Sequence, residues 1–142
     1  LKPQNGKINE KISRSIKNRQ LMAVRKEKGK IAITNYKTLK IFQNVNIPKM
    51  SLIECQLETG RTHQIRVHAA YIGCAVLGDK LYGLPDDGFI RWLSEGDDYL
   101  LAQNFPLHRQ LLHASEIRFE HPLNKNEIVI RASDEILLKE LN

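Results

Sequence analysis

The run Gly60-Arg61-Thr62-His63-Gln64-Ile65-Arg66-Val67-His68 gathers two guanidinium groups, two imidazoles, a hydroxyl and an amide into a short stretch of chain. A strand that runs into Gly60 and then into a helix opening with Arg61, Thr62 and His63 would concentrate donors at a helix amino terminus. Backbone amides and the helix dipole already favour an anion there. A phosphate or a carboxylate fits such a place. Arg66, one turn further on, offers a planar fork suited to bidentate contact with either group. The same spacing also permits a structural arrangement, in which Arg61 and Arg66 pair with acids of the fold and the histidines hold neighbouring backbone. Spacing leaves both readings open.

Other candidate chemistry is weaker. His63 and His68 are five apart, which does not stack two ligands on one helical face. His108, His113 and His121 lie in segments without Cys or Asp at ligand spacing, so no metal is expected. Cys55 and Cys74 are too few for a disulfide framework and are expected to be small buried apolar residues. Charge is unevenly placed. Residues 1–30 hold ten Lys or Arg against Glu10 and Glu27, whereas the remaining 112 residues carry 12 basic and 14 acidic side chains. A basic end of this kind attracts a polyanion through counterion release without reading its sequence, or else is a solvated, mobile terminus.

The elements that must position these groups follow from patterning. Residues 1–29 read as an extended, basic connecting segment, with a short strand around Gln20 to Arg25. Lys30 to Phe42 is rich in β-branched and aromatic residues and predicts a strand. A turn is expected at Asn44, Asn46 and Pro48. Met50 to Glu58 then alternates Ile53, Cys55 and Leu57 against Glu54, Gln56 and Glu58, which predicts a second strand with one buried face, antiparallel to the first. The pattern breaks at Thr59-Gly60. Arg61 to Ile72 predicts a helix with Ile65, Ala69 and Ile72 on its packing stripe, His63 and Arg66 on another face, and Gly73 as terminator.

Beyond it, Ala75 to Leu77 reads as a short buried strand. Phe89 to Gln103 reads as part helix interrupted at Gly96, inside an acidic insert from Asp86 to Asp98 that is expected to be a solvated loop anchored by Trp92. Leu111 to Glu120 and Glu127 to Ala132 predict strands joined by a turn at His121 to Asn124, and residues 134–142 a closing helix. The expected fold class is α+β, a mixed and largely antiparallel sheet with flanking helices. At 142 residues with 42% apolar composition the chain is of single-domain size. It has no apolar run of about 18 residues and no signal-peptide pattern, so no membrane association and a cytoplasmic location are expected.

At this point the sequence resembles a known family. Glu58 to His68, then Ile72-Gly73, then Gly78-Asp79-Lys80-Leu81-Tyr82-Gly83 is similar to the carboxy-terminal signature of the RluA-type pseudouridine synthases, nearest the C/D subgroup of the ribosomal large subunit enzymes. Ala32-Ile33-Thr34-Asn35-Tyr36 resembles the strand before that signature. Arg109 to Ala114 with Phe119-Glu120-His121-Pro122 resembles the block after it. The likeness spans roughly residues 30–135 in four ordered blocks, a combination too specific for a chance motif hit.

The resemblance implies a partial pseudouridine synthase catalytic domain over residues 30–142. It also implies isomerisation of chosen uridines in structured RNA, with 23S ribosomal RNA ahead of transfer RNA and no cofactor. In the family an Asp attacks the ribose or base of a flipped-out uridine, and an Arg on the helix after the Gly-Arg-Thr-His-Gln run pairs with that Asp; by motif position this is Arg66. Arg61 and His63, with Lys11, Arg14, Lys17 and Arg19 of the basic segment, are the candidate RNA contacts. A monomer is expected.

The family's nucleophile lies in a His-Arg-Leu-Asp motif, and no such motif occurs in residues 1–142. Asp79, Asp86, Asp87, Asp97, Asp98 and Asp134 do not match it, and Tyr36 and Tyr82 are read as structural. Since the first residue is Leu1 rather than Met, the sequence is expected to be the later part of a longer polypeptide and inactive by itself. The alternative is a catalytically dead RNA-binding or assembly module of the same fold.

Overall fold

A computed structural model describes residues 4–44, 47–85, 87–102 and 109–135. Among the described residues, seven strands and three helices follow in the order β1 (Asn5–Asn9), β2 (Ile12–Arg14), β3 (Met22–Val24), β4 (Ile33–Asn44), β5 (Ile47–Leu57), α1 (Gln64–Tyr71), α2 (Gly88–Glu95), α3 (Asp97–Ala102), β6 (Glu116–Glu120) and β7 (Glu127–Arg131). The expected α+β class with antiparallel pairing is what the chain adopts. β4 is central in a three-stranded sheet ordered β1-β4-β5, and β2–β3 and β6–β7 form two separate hairpins.

The sheet presents one face to α1. Ile8 pairs with Thr34 and Tyr36 pairs with Cys55, so these side chains point the same way. With Ile53 they enclose a small apolar cleft closed on its far side by Ile65, Ala69 and Ile72 of α1. The expected packing stripe of the helix is therefore the one that meets the sheet. A second contact lies at the other flank of α1, where Val67 packs with Ile12 and Ala32 in a buried cluster joined by Met22, Val24 and Tyr82. The buried face expected on β5 is only partial: Ile53 and Cys55 are half-buried, but Leu57 is exposed.

Several expectations need correction. Residues 1–29 are more than a connection: β1 is an edge strand of the main sheet, β2 and β3 form a hairpin, and Ile8 and Ile12 are buried. Their apolar residues are sparse because each short strand buries only one or two side chains, too few to register as a period. The helix begins at Gln64, with Arg61 to His63 in a turn. Ala75 to Leu77 is not a strand, and Leu111 to Ser115 is irregular ahead of β6. Leu111 instead donates its amide to the carbonyl of Leu77, which ties the two segments together through backbone.

The acidic insert is largely helical, α2 and α3 meeting at Gly96 as the pattern foretold. Trp92 does reach the body, lying under the Lys80 ammonium at 4.8 Å. Pro48 falls inside β5, not in a turn; Asn46, His108 and the closing helix expected over 134–142 lie wholly or mostly outside the described residues. Cys74 is exposed and Cys55 half-buried, so neither is the fully buried apolar residue expected. The Cys55 thiol is pushed up from its ordinary range by burial, with Glu54 adding to the effect.

Candidate functional site

The turn between β5 and α1 is organised by Gln64. Its Oε1 accepts from the Thr59 hydroxyl at 2.8 Å and the Arg61 amide at 3.0 Å, and its Nε2 donates to the Ile33 carbonyl at 2.9 Å and the Thr34 hydroxyl at 3.0 Å. All four hydrogen bonds of a primary amide are made, in a side chain that is 3% exposed. Thr59 in turn accepts from the Ile33 amide. The strand-to-helix junction is thus stitched to β4. It also leaves His63 in the left-handed region at φ 56°, a conformation uncommon for a residue with a Cβ and sustained here by its surroundings.

His68 extends this network inward. The ring is fully buried, its Nδ1 2.9 Å from the Thr34 hydroxyl and its Nε2 3.1 Å from the Glu10 carbonyl. A carbonyl can only accept, so Nε2 carries the proton and Nδ1 accepts from Thr34. Burial lowers the His68 pKa more than the Glu10 carbonyl and carboxylate raise it, which keeps the ring neutral. His68 is therefore a clamp joining α1 to the chain between β1 and β2. It is neither a ligand nor a free base.

The other face of α1 carries the candidate chemistry. Arg66 is 13% exposed at its side chain and Asp79 is completely buried. Arg66 Nε donates to Asp79 Oδ2 and Nη2 to Oδ1, both at 2.7 Å, a planar two-bond pair. The ring of Tyr82 lies against the guanidinium, 5.1 Å from its central carbon to the ring centroid. The Tyr82 hydroxyl accepts from the Met22 amide of β3 at 3.0 Å and lies 2.9 Å from His63 Nδ1.

Burial, with the nearby Arg66 charge, lowers the His63 pKa against the opposing pull of Asp79, so the imidazole is neutral near pH 7 and Nδ1 can accept a hydrogen bond from the tyrosyl hydroxyl. The Tyr82 pKa is raised, chiefly by burial, so the hydroxyl keeps its proton to share. Arg66, Asp79, Tyr82 and His63 form one contiguous group. His63 lies ahead of the helix and not on a helical face with Arg66 as its spacing implied, yet both side chains meet at Tyr82.

The remaining candidates are more scattered. Arg61 donates Nε to the Ile31 carbonyl at 2.9 Å while its side chain stays exposed. Arg14 donates to the Arg19 carbonyl at 2.8 Å, across the β2–β3 turn. Lys11, Arg14, Lys17 and Arg19 are all solvent-facing. Lys11 lines an open groove with Glu10, Lys26 and Ile31, so the fold brings Lys26 of the basic run next to the earlier Lys11.

Sequence reasoning misses Asp79 and Tyr82 as site residues. The available signal is the block Gly78 to Gly83, whose Asp has the position of a turn residue; nothing in the linear pattern shows that the turn folds back onto the helix. Among the described residues no cluster of His, Cys, Asp or Glu could hold a metal ion, and no helix is long and apolar enough to cross a membrane.

Comparison with known proteins agrees with this architecture. In the solved structures, human RNA Pseudouridylate Synthase Domain Containing 1 superposes with a TM-score of 0.72 at 23% identity, covering 99% of this chain and 52% of that one; this shows a shared fold. Ribosomal large subunit pseudouridine synthase D of Zymomonas mobilis is 39% identical over 124 residues, covering 87% of this chain and 35% of that protein. The protein of the same name from Haemophilus ducreyi is 41% identical over 121 residues, covering 85% and 34%. An uncharacterized RNA pseudouridine synthase of Bacillus subtilis is 40% identical over 117 residues, covering 82% and 31%. The chain spans about a third of the length of these curated relatives. Residues 1–71 match the sequence pattern of RNA pseudouridylate synthase. On this match, with the fold and the Gly60 to His68 segment in agreement, the chain belongs to the RNA pseudouridylate synthase family.

Proposed function

We propose that this chain forms the Arg-bearing part of an enzyme that isomerises uridine to pseudouridine in structured RNA, with 23S ribosomal RNA as the preferred target. The observation that carries the reading is the immobilised Arg66. A guanidinium fixed by two short hydrogen bonds and an aromatic face is suited to orient a second carboxylate, and among the described residues its Nη1 has no hydrogen-bond acceptor and is left for that contact. An Asp nucleophile paired in this way stays ionised and is aimed at the flipped-out nucleotide. The names of the relatives, two of them ribosomal large subunit synthases, favour ribosomal RNA. The exposed cations of residues 11–30 would add sequence-independent attraction to the RNA backbone.

No His-Arg-Leu-Asp motif occurs in the 142 residues, so the chain by itself is expected not to turn over. The same fact supports the second reading, an RNA-binding module without catalysis. Tritium release from RNA labelled at uridine C5 separates them: the full-length protein should release tritium and the 142-residue chain should not. In the full-length protein, Arg66→Ala should abolish release while RNA affinity falls much less, because a residue that orients the nucleophile acts on the chemical step. Equal losses of affinity and turnover would reassign Arg66 to phosphate contact, and release by the isolated chain would overturn the assignment of the nucleophile elsewhere.

A further inference from the structure

The fully buried carboxylate of Asp79 holds two things at once. Its Oδ1 accepts from the Leu81 amide at 3.0 Å and the Tyr82 amide at 3.2 Å, which closes the turn of residues 79–82, and the same oxygen accepts from Arg66 Nη2. Among the described residues, its Oδ2 accepts from Arg66 Nε alone. The turn is held both from within and by its neighbours. The Gly83 amide bonds to the Asp79 carbonyl at 2.7 Å. Gly78 has φ +76°, and a Cβ there would collide with the Arg109 carbonyl. Tyr82, three residues on from Asp79, is anchored to β3 through Met22 and lies against the same guanidinium.

Asp79 is thus a short side chain on a fixed turn that reaches across to the helix and sets the plane and rotamer of Arg66. A surface ion pair would leave that long side chain free to sample other rotamers; a buried two-bond pair does not. We infer that Asp79 is a positioning residue for the isomerisation, acting through Arg66 by holding its guanidinium in the plane that receives the nucleophilic carboxylate. The inference rests on the proposed function above and extends it to a residue that the catalytic motif does not contain.

Oδ1 serves both the turn and Arg66 whereas Oδ2 serves Arg66, so Asp79→Asn can strip half of the fork and leave the turn closed. The amide oxygen can still accept from Leu81, Tyr82 and Arg66 Nη2, whereas the amide nitrogen faces Arg66 Nε, donor against donor, so the two-bond pair is reduced to one bond that no longer sets the guanidinium plane. In the full-length protein kcat for tritium release should fall by roughly 10- to 100-fold, the scale expected when a reacting group is misplaced by about 1 Å. KM should stay within about twofold, because the RNA surface is untouched.

Arg66→Lys keeps the charge but has no planar fork to orient. If Asp79 acts only through Arg66, adding Asp79→Asn to Arg66→Lys should lower kcat by less than about threefold further. Independent, multiplying effects would overturn the inference, and so would an unchanged kcat in folded Asp79→Asn. Should Asp79→Asn not accumulate as folded protein, Asp79→Glu retains the charge on a longer arm and enters the same cycle. Absence of turnover in the wild-type full-length protein would count against the proposed function itself, whereas turnover that is indifferent to Asp79 removes only this inference.

Discussion

Thr34→Val tests whether the network beneath α1 holds the helix that carries Arg66. The Thr34 hydroxyl donates to His68 Nδ1 and accepts from Gln64 Nε2, and Thr34 and His68 are 1% and 0% exposed, so water does not replace a lost partner. Valine has the same shape as threonine, and the substitution opens no cavity. It strips the hydroxyl from two buried groups. Each buried polar group left without a partner costs about 1–3 kcal/mol. Gln64 Nε2 keeps its bond to the Ile33 carbonyl, so its share falls at the low end. The sum is about 2–4 kcal/mol.

At a urea slope of about 2 kcal/mol/M this moves the unfolding midpoint of the transition containing this domain down by roughly 1–2 M. Thr34→Ser keeps the hydroxyl and removes one methyl, and should cost only about 1 kcal/mol. Equilibrium urea unfolding followed by circular dichroism reads both. A loss under about 0.5 kcal/mol for Thr34→Val, or a larger loss for Thr34→Ser than for Thr34→Val, would refute the reasoning, since the first says the hydroxyl is not needed and the second that packing outweighs it.

Two further outcomes follow from the charges. His63 and His68 both have pKa values held below the ordinary 6.5, so the unfolded chain binds more protons than the folded one as pH drops past that value. Their contribution to stability is fully present above about pH 6.5 and declines as pH falls towards the folded values; thermal unfolding at about pH 7.5 and 5.5 should show the lower midpoint at the acid pH, and equal midpoints would contradict the neutral assignment of the two rings. Replacing Lys11, Arg14, Lys17 and Arg19 with Gln should flatten the dependence of log RNA affinity on log salt by up to about 0.7–0.9 for each phosphate these side chains neutralise, read by filter binding across a salt series, and an unchanged slope would remove these cations from the RNA surface.

The sequence by itself determined the elements with strong period and length. Lys30 to Phe42 and Met50 to Glu58 carry enough β-branched and alternating residues to specify two long antiparallel strands, and Ile65, Ala69 and Ile72 mark the side of α1 that meets them. The Gly60 to His68 segment and the blocks around it were legible as a family signature, because ordered motifs survive where propensity is ambiguous. What only tertiary structure decided is which donors remain free. Arg61, Thr62 and His63 have the composition of a helix opening, but the Gln64 amide bonds back to Arg61 and Thr59 and makes them the turn before it.

His68 stands in the same motif as His63, and only the fold shows that it is sealed between β4 and Glu10. Arg66 and Asp79 are 13 residues apart, and no local pattern says that the turn after Gly78 folds back onto α1. β1 and β2 were invisible for a related reason: a strand that buries one isoleucine has no period to read, and it is held by pairing with β4 or β3 more than by its own composition. Periodicity reports the faces an element buries repeatedly. A site assembled from single buried contacts between distant segments is written in the fold, and the Arg66–Asp79 pair, bonded to a turn on one side and a helix on the other, is of that kind.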